Sequence, residues 1–251
     1  MLLLVTDTSG KDGFVGLARA GEGAEPNAVD VIEEVPLAGG TFSAQLVPQI
    51  SGLLNEHGFR KSDIDAFIVV SGPGSFTGLR VGLAVIKALA EILHKPIVAV
   101  SLLEVIARSS IFGAGLASDA SEVRYTVALD AGRGEAFVGQ FNMSFTGNMI
   151  GSFVCDSESL LTVQSLAELV QSGAMPWIVT PDAVLGEALK QRLDTAQRRA
   201  ILTHARPDSA EVAGVGWPKL RAGETVSPEQ LEANYIRRTD AEIFAKPATS
   251  S

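Results

Sequence analysis

The amino-acid sequence predicts an α/β protein made of two copies of one βββαβα unit. Three observations carry this expectation. Short apolar runs alternate with helix-length amphipathic runs along the chain. A stretch near the start returns past the middle, where Asp7, Phe14, Val15 and Gly16 recur without a gap as Asp130, Phe137, Val138 and Gly139. The chain has 251 residues, 46% hydrophobic and 20% charged, which is long enough for two small lobes and too apolar for disorder. Each copy reads as an apolar strand, an Asp, a Gly-containing turn and a returning strand. Two β-hairpins of similar composition would align in the same way. The sharper reading is a duplication whose lobes face each other across a cleft, with one Asp at each strand end pointing into it.

The elements follow in order. Leu2 to Thr8 is a buried strand, Phe14 to Ala20 a second, and the more polar Val29 to Val35 a third, nearer an edge. Ser43 to His57 carries Leu46, Val47, Ile50, Leu53 and Leu54 at helical spacing, with Ser43 as N-cap and Gly58 as stop. Ala66 to Ser71 is a strand, Thr77 to His94 a long helix, and Pro96 to Ser101 a strand leading into a helix that runs to about Phe112. The Gly-, Ala- and Ser-rich stretch from Gly113 to Glu122 reads as the joint, giving lobes 1–112 and 113–251. Strands are expected at Arg124–Ala131, Glu135–Phe141, Met149–Val154 and Trp177–Thr180, and helices at Val163–Gln171 and Pro181–Leu193. A last helix, Ser209–Leu220, is expected to break at Pro218 and to pack back on the first lobe.

Charge and composition narrow the function. Twenty-nine acidic residues against 20 basic ones give a net charge of −9, which argues against a surface that binds nucleic acid or lipid headgroups as a whole. Half of the basic residues lie between Lys190 and Lys246, so a local basic patch belongs near the C-terminus. Cys155 is alone, which excludes an internal disulfide or a Cys-rich zinc site, and it reads as inert filling. The apolar start is cut at Asp7, unlike a signal peptide, and no apolar run approaches the roughly 18 residues of a membrane span. The expected compartment is the cytoplasm, with no membrane partner.

Two segments carry chemistry or contacts. Gly72-Pro73-Gly74-Ser75-Phe76-Thr77-Gly78 joins a strand to a helix, where backbone N–H groups suit an anion. Its spacing matches neither the dinucleotide fingerprint nor a P-loop, so a tight turn with Thr77 as N-cap is the alternative. The helix from Thr77 is apolar almost all round apart from the stripe Arg80, Lys87, Glu91 and His94. It therefore needs a covering on two sides, either its own chain or a partner. His57, His94 and His204 form no H-x-x-x-H pair, which excludes a zinc site on one helix. The hairpin residues Asp130, Arg133 and Glu135 read equally well as a solvated tip.

The segment from Gly72 to Gly82 resembles the signature of the TsaB (YeaZ) family. Asp7-Thr8-Ser9, Leu46-Val47-Pro48, the run from Pro96 to Glu104, Asp130-Ala131-Gly132-Arg133-Gly134-Glu135 and Tyr235-Ile236-Arg237 extend the resemblance over nearly the whole chain. It implies the actin-like ATPase (ASKHA) fold, shared with hexokinase and the Hsp70 ATPase domain, without a working active site. It also implies a dimerisation and scaffold subunit that works with the catalytic relative TsaD and the ATPase TsaE. Together these transfer threonylcarbamoyl from threonylcarbamoyl-AMP to the adenosine beside the anticodon of tRNA. If Glu104 is matched to the Glu between the metal histidines of the catalytic relative, those histidines become Leu102 and Ile106, which bind no metal. The sequence departs from the family at Phe42, where a His is usual, at Asn234, where a Pro is usual, and at Gly132, which displaces the turn's Arg to Arg133. A nucleotide-dependent kinase or a metallopeptidase-like enzyme of the same fold is the rival reading.

The expected partner surface is a four-helix interface using Leu46, Ile50, Leu53, Leu79, Leu83 and Ile86, joining the chain to TsaD or, alone, to a second copy. The expected vestigial nucleotide site comprises Asp7, Thr8, Ser9, Gly72, Gly74 and Asp130. The subunit is expected to need no cofactor and to be no enzyme by itself. Neither turn supplies a Lys, and Asp7 repels phosphate unless Mg²⁺ bridges them. ATP or ADP is therefore expected to bind the free chain with a dissociation constant of about 0.1 mM or weaker, and more tightly only in the complex.

Overall fold

Two five-stranded sheets share one strand order. A computed structural model describes residues 1–21, 28–38, 40–113, 122–146, 149–174 and 176–236. In the first unit β1 (Leu2–Asp7), β2 (Gly13–Ala20) and β3 (Val29–Leu37) form an antiparallel meander, and β4 (Ala66–Gly72) and β5 (Ile97–Ser101) run parallel to β1 in the order β3-β2-β1-β4-β5. In the second unit β6 (Glu122–Gly132), β7 (Glu135–Thr146) and β8 (Met149–Thr162) form the meander, and β9 (Ile178–Thr180) and β10 (Ile201–Thr203) continue it as β8-β7-β6-β9-β10. This is the duplicated architecture expected of the actin-like ATPase fold. Each unit is one strand and one helix longer than βββαβα.

Burial explains which runs became strands. β1 and β4 are buried at every position, as central strands covered on both faces must be, and both open as apolar runs, Leu2–Val5 and Ala66–Val70, before polar residues at their ends. β3 alternates between half-buried and exposed positions and lies at the sheet edge. Helices α1 (Phe42–Glu56) and α2 (Phe76–Leu93) cover the outer face of the first sheet through Leu46, Ile50, Leu83 and Ile86. Helices α4 (Val163–Gln171) and α5 (Ala183–Lys190) do the same for the second through Leu166, Val170, Leu185 and Leu189.

Helices α3 (Leu102–Gly113) and α6 (Ser209–Arg221) lie between the sheets in one shared core with Ile68, Val100, Tyr125, Phe141 and Trp217. Although α6 follows β10, it packs against all five strands of the first sheet. It runs on through Pro218 instead of breaking there. The chain after it crosses the edge of β5, where Val226 donates its N–H to Ile97 O at 2.9 Å. That contact shields an otherwise open sheet edge.

Several boundaries differ from those expected. β8 extends to Thr162, past Val154, because it stays paired with β7 along its length. β10 has three residues, too few to leave a periodic signal. Ser75 rather than Thr77 caps α2, its Oγ accepting from Gly78 N at 3.3 Å, and Thr41 rather than Ser43 precedes α1. Residues 114–121 of the expected joint and Arg237 lie outside the described residues. No helix among the described residues is long and apolar enough to cross a membrane.

Candidate functional site

The turns at the strand ends of both units line a cleft of about 620 Å³. The β1–β2 turn contributes Ser9, Gly10 and Lys11, and the β4–α2 loop contributes Pro73, Gly74, Ser75 and Phe76. From the second unit come Asp130, Ala131 and Arg133 around the β6–β7 turn, and Asp182 before α5. Arg206, from the link between β10 and α6, completes the wall. Arg133 and Gly134 have φ of 58° and 76°, the left-handed pair that a two-residue hairpin turn requires.

Of the six residues expected at a nucleotide site, Ser9, Gly74 and Asp130 line the cleft; Asp7, Thr8 and Gly72 stand behind it. The glycine-rich segment has a packing role. A Cβ at Gly74 would lie 2.1 Å from Ser9 O, one at Gly78 2.1 Å from Thr8 O, and one at Gly82 2.1 Å from Thr8 Oγ1. Spaced four apart, the three form a bare stripe on which the β1–β2 turn rests. Ser75 N donates to Ser9 O at 2.6 Å and Gly78 N to Ser75 Oγ, so these two amides are spent within the fold.

The Asp7 carboxylate is buried and committed. Its Oδ1 accepts from Ser9 N at 2.7 Å and from Ser9 Oγ at 2.6 Å. Its Oδ2 faces Arg206 Nη2 at 3.6 Å, and the same Nη2 donates to Ser9 Oγ at 2.9 Å. The guanidinium lies so close to the turn that a Cβ at Gly10 would be 2.8 Å from Arg206 Cζ. The actin-like fold implies a nucleotide-bound Mg²⁺ at this place, and these residues do not fit one. The carboxylate is buried, its Oδ1 is committed to Ser9, and a fixed cation already stands beside its Oδ2. Among the described residues no group of three or more His, Cys, Asp or Glu could hold a metal ion. The premise that the cleft lacks a cation is therefore corrected: Lys11, Arg133 and Arg206 all line it. Arg206 left no local signal, because it meets Ser9 across 197 positions of sequence.

On the second wall Asp182 Oδ2 accepts from Asp130 N at 2.6 Å, and Asp130 Oδ1 from Gly132 N at 2.9 Å. Asp130 thus braces its own turn, and Asp182 ties the start of α5 to the end of β6.

The expected partner residues are also corrected. Leu46, Ile50, Leu53, Leu79, Leu83 and Ile86 are at most 5% exposed and point into the first unit, because the apolar stripe with the stronger periodicity faces the sheet. The outward side of the same helix pair carries Ala44, Val47 and Pro48 on α1 and Ala84, Ala88 and Ile92 on α2, together with exposed Ser43, Asn55, Glu56, Arg80 and Glu91. Val47 is 47% and Ile92 74% exposed. Phe42 is buried in the first turn of α1, its ring over Gly13 and Gly78. Asn234 N donates to Ser71 O at 2.7 Å, a bond that a Pro there could not make. Leu102 and Ile106 are fully buried in α3, and Glu104 between them binds Lys219 at 2.8 Å and Arg108 at 2.9 Å. Cys155 is exposed on the edge strand β8 and fills no core. Partial desolvation of the thiol against its neighbours, then the Glu158, Glu104 and Asp156 carboxylates, push its pKa up.

Comparison with known proteins agrees with this architecture. The model of the family "TsaD: tRNA N6-adenosine threonylcarbamoyltransferase" matches residues 36–243. The tRNA threonylcarbamoyladenosine biosynthesis protein TsaB of Bacillus subtilis is 25% identical over 244 residues, covering 96% of each chain. The protein of the same name from Escherichia coli is 24% identical over 201 residues, covering 78% of this chain and 81% of its own. The solved structure of YeaZ from Pseudomonas aeruginosa superposes with a TM-score of 0.66 at 24% identity, over 93% of this chain and 99% of that one.

Proposed function

Because the chain belongs to the TsaD family, and within it to the TsaB (YeaZ) branch, we propose that it serves tRNA threonylcarbamoyladenosine formation as a non-catalytic scaffold subunit. Its partners in this reading are a TsaD protein, which carries the transfer from threonylcarbamoyl-AMP, and the ATPase TsaE. The observation that supports it is the pair Leu102 and Ile106. At the positions matched to the metal histidines of the catalytic relative stand two fully buried aliphatic side chains, and the Glu between them is tied up by two cations. A metal centre there would need both residues exchanged and a core opened.

The partner surface in this reading is the outward face of α1 and α2. Small residues at Ala44, Ala84 and Ala88 let a second helix pair approach closely, and Val47 and Ile92 supply apolar area. The same face serves TsaD or, in its absence, a second copy. Val47→Arg and Ala84→Arg leave the core untouched and place a charge in the contact. Size-exclusion chromatography with purified TsaD should show the parent chain shifting into a complex and the folded variants eluting apart. Reconstitution with TsaD and TsaE should yield modified tRNA only when the parent chain is present, and the chain alone should yield none. Undiminished complexes from both variants would move the interface elsewhere. Transfer by the isolated chain would overturn the non-catalytic reading.

A further inference from the structure

The link between α5 and β10, residues 191–200, carries a charge opposite to that of the chain. The protein as a whole has a net charge of −9, yet from Lys190 to Ala200 four basic residues stand against one acid, Asp194. We propose that this link is a docking surface for the phosphate backbone of tRNA, formed by Arg192, Arg198 and Arg199. The proposal rests on the reading of the chain as a subunit of tRNA modification. Because β9 and β10 are parallel and Asp182, just ahead of α5, lines the cleft, α5 carries the chain to the opposite end of the sheet. The link is therefore separate from the cleft, and it belongs to the second unit, whereas the α1–α2 face belongs to the first.

Packing makes the link a fixed platform. Leu193 and Ala200 are buried in the core that α4 and α5 share with the second sheet. Between them the backbone turns on itself, with Arg198 N donating to Asp194 O at 3.0 Å, and Gln171 Nε2 at the end of α4 donates to Arg192 O at 3.0 Å. Arg192 Nη1 donates to Ala188 O at 2.5 Å and Arg198 Nε to Leu193 O at 3.2 Å. Cations at a helix C-terminus are favourable in themselves, which accounts for one donor on each of these two side chains. It leaves the other four donors of each guanidinium open. It also leaves out Arg199, which is exposed and whose side chain bonds nothing among the described residues. Lys190 pairs with Glu187 at 3.0 Å, and Asp194 Oδ1 accepts from Gln197 N at 2.8 Å. None of the three arginines has an ion-pair partner among the described residues, and all three are exposed. Planar, permanently charged forks with no acid beside them fit phosphodiester oxygens. The link holds no aromatic side chain on which a base could stack, so it reads the backbone and leaves the choice of base to the partner.

The test is fluorescence anisotropy of a labelled tRNA transcript with the whole chain, at salt from about 50 to 200 mM KCl. The parent should bind at the low end with a dissociation constant of roughly 1–100 µM and lose affinity steeply as salt rises. Arg199→Ala, which removes no hydrogen bond from the fold, should weaken binding several-fold and reduce the slope of log affinity against log salt by about one. Replacing Arg192, Arg198 and Arg199 together by Ala should reduce that slope by about two to three and the affinity by about tenfold or more. Lysine at all three positions should restore most of both. Unchanged affinity and slope in the folded triple variant, or in Arg199→Ala where the triple variant unfolds, would overturn the proposal. So would absence of tRNA binding by the parent at about 50 mM salt. Tighter binding to vesicles of phosphatidylcholine and phosphatidylglycerol in equal parts than to tRNA would overturn it too, and would make the link a lipid-facing surface. Co-elution with TsaD is measured without RNA, so the scaffold reading stands or falls separately.

Discussion

Replacing one glycine by alanine at two helical positions should give effects of opposite sign. Gly78 lies in the first turns of α2 and Gly52 in α1. At Gly52 an added methyl meets nothing within 4 Å, so only backbone entropy and helix propensity change, and both favour alanine by about 0.5–1 kcal/mol. At Gly78 the methyl would stand 2.1 Å from the Thr8 carbonyl oxygen and 3.1 Å from the Phe42 ring. An ordinary contact needs more than an ångström of added separation, and the nearest atom is backbone with no rotamer to escape into. Moving α2 away strains Ser75 N···Ser9 O and opens the core under Leu83 and Ile86. Overpacking of this kind costs about 1–3 kcal/mol, enough to outweigh the propensity gain. Gly78→Ala should therefore lower the melting temperature by roughly 2–8 °C and Gly52→Ala raise it by about 1–4 °C. Differential scanning of the two variants beside the parent decides it. A Gly78→Ala protein as stable as Gly52→Ala would refute the packing account of the glycine stripe and return it to a ligand role.

Leu46→Ala, at a fully buried site, should cost about 2–5 kcal/mol and reduce complex formation only in proportion to unfolding, whereas Val47→Arg should melt within a few degrees of the parent; circular dichroism distinguishes them. Tyr125 is buried, its OH donates to Ala107 O at 2.9 Å, and burial raises its pKa well above the ordinary tyrosine range. A group that holds its proton more tightly when folded contributes stability below the unfolded pKa of about 10 that is lost as pH rises beyond it, because only the unfolded chain releases the proton. In a Tyr235→Phe variant, which leaves Tyr125 as the sole tyrosine, tyrosinate absorbance should appear only with loss of near-ultraviolet dichroism, and its appearance in the intact fold would contradict the burial. Cys155, exposed but with its thiol pushed up, should react with iodoacetamide at pH 8 more slowly than free cysteine, and a faster reaction would show an activated thiolate.

What the sequence made legible was the repeat and the long elements. Asp7 and Asp130, 123 positions apart by the ungapped alignment, do close equivalent strands. Yet Asp7 pairs with Phe14 while Asp130 pairs with Ala136, one residue before Phe137, because β6 carries a bulge after Asp130. The alignment thus found the hairpin and missed its register. Periodicity found α1 and α2 and named their strongest apolar stripe, but a stripe of Leu and Ile is what a sheet demands of its own helices. The weaker face of Ala and Val was the outer one, and only packing against β1 and β4 tells the two apart. The cleft was half legible. Ser9, Gly74 and Asp130 sit in turns with Gly and Asp signals, whereas Lys11, Asp182 and Arg206 are ordinary charged residues brought there by topology.

The return of α6 to the first sheet sets an order of events during synthesis. The first unit's strands and its two outer helices are complete by Ser101, but the inner face of that sheet, covered at β4 and β5 by α3, is closed over all five strands only by α6 with Val212, Ala213 and Trp217. At about 5–20 residues per second, the ribosome needs roughly 5–20 s to pass from the end of α3 to the end of α6. Through that interval the N-terminal half holds a partly uncovered apolar sheet face and an open β5 edge. Its final fold is a product of the whole chain, and a ribosome stalled in the second unit leaves a nascent chain for chaperones to shelter.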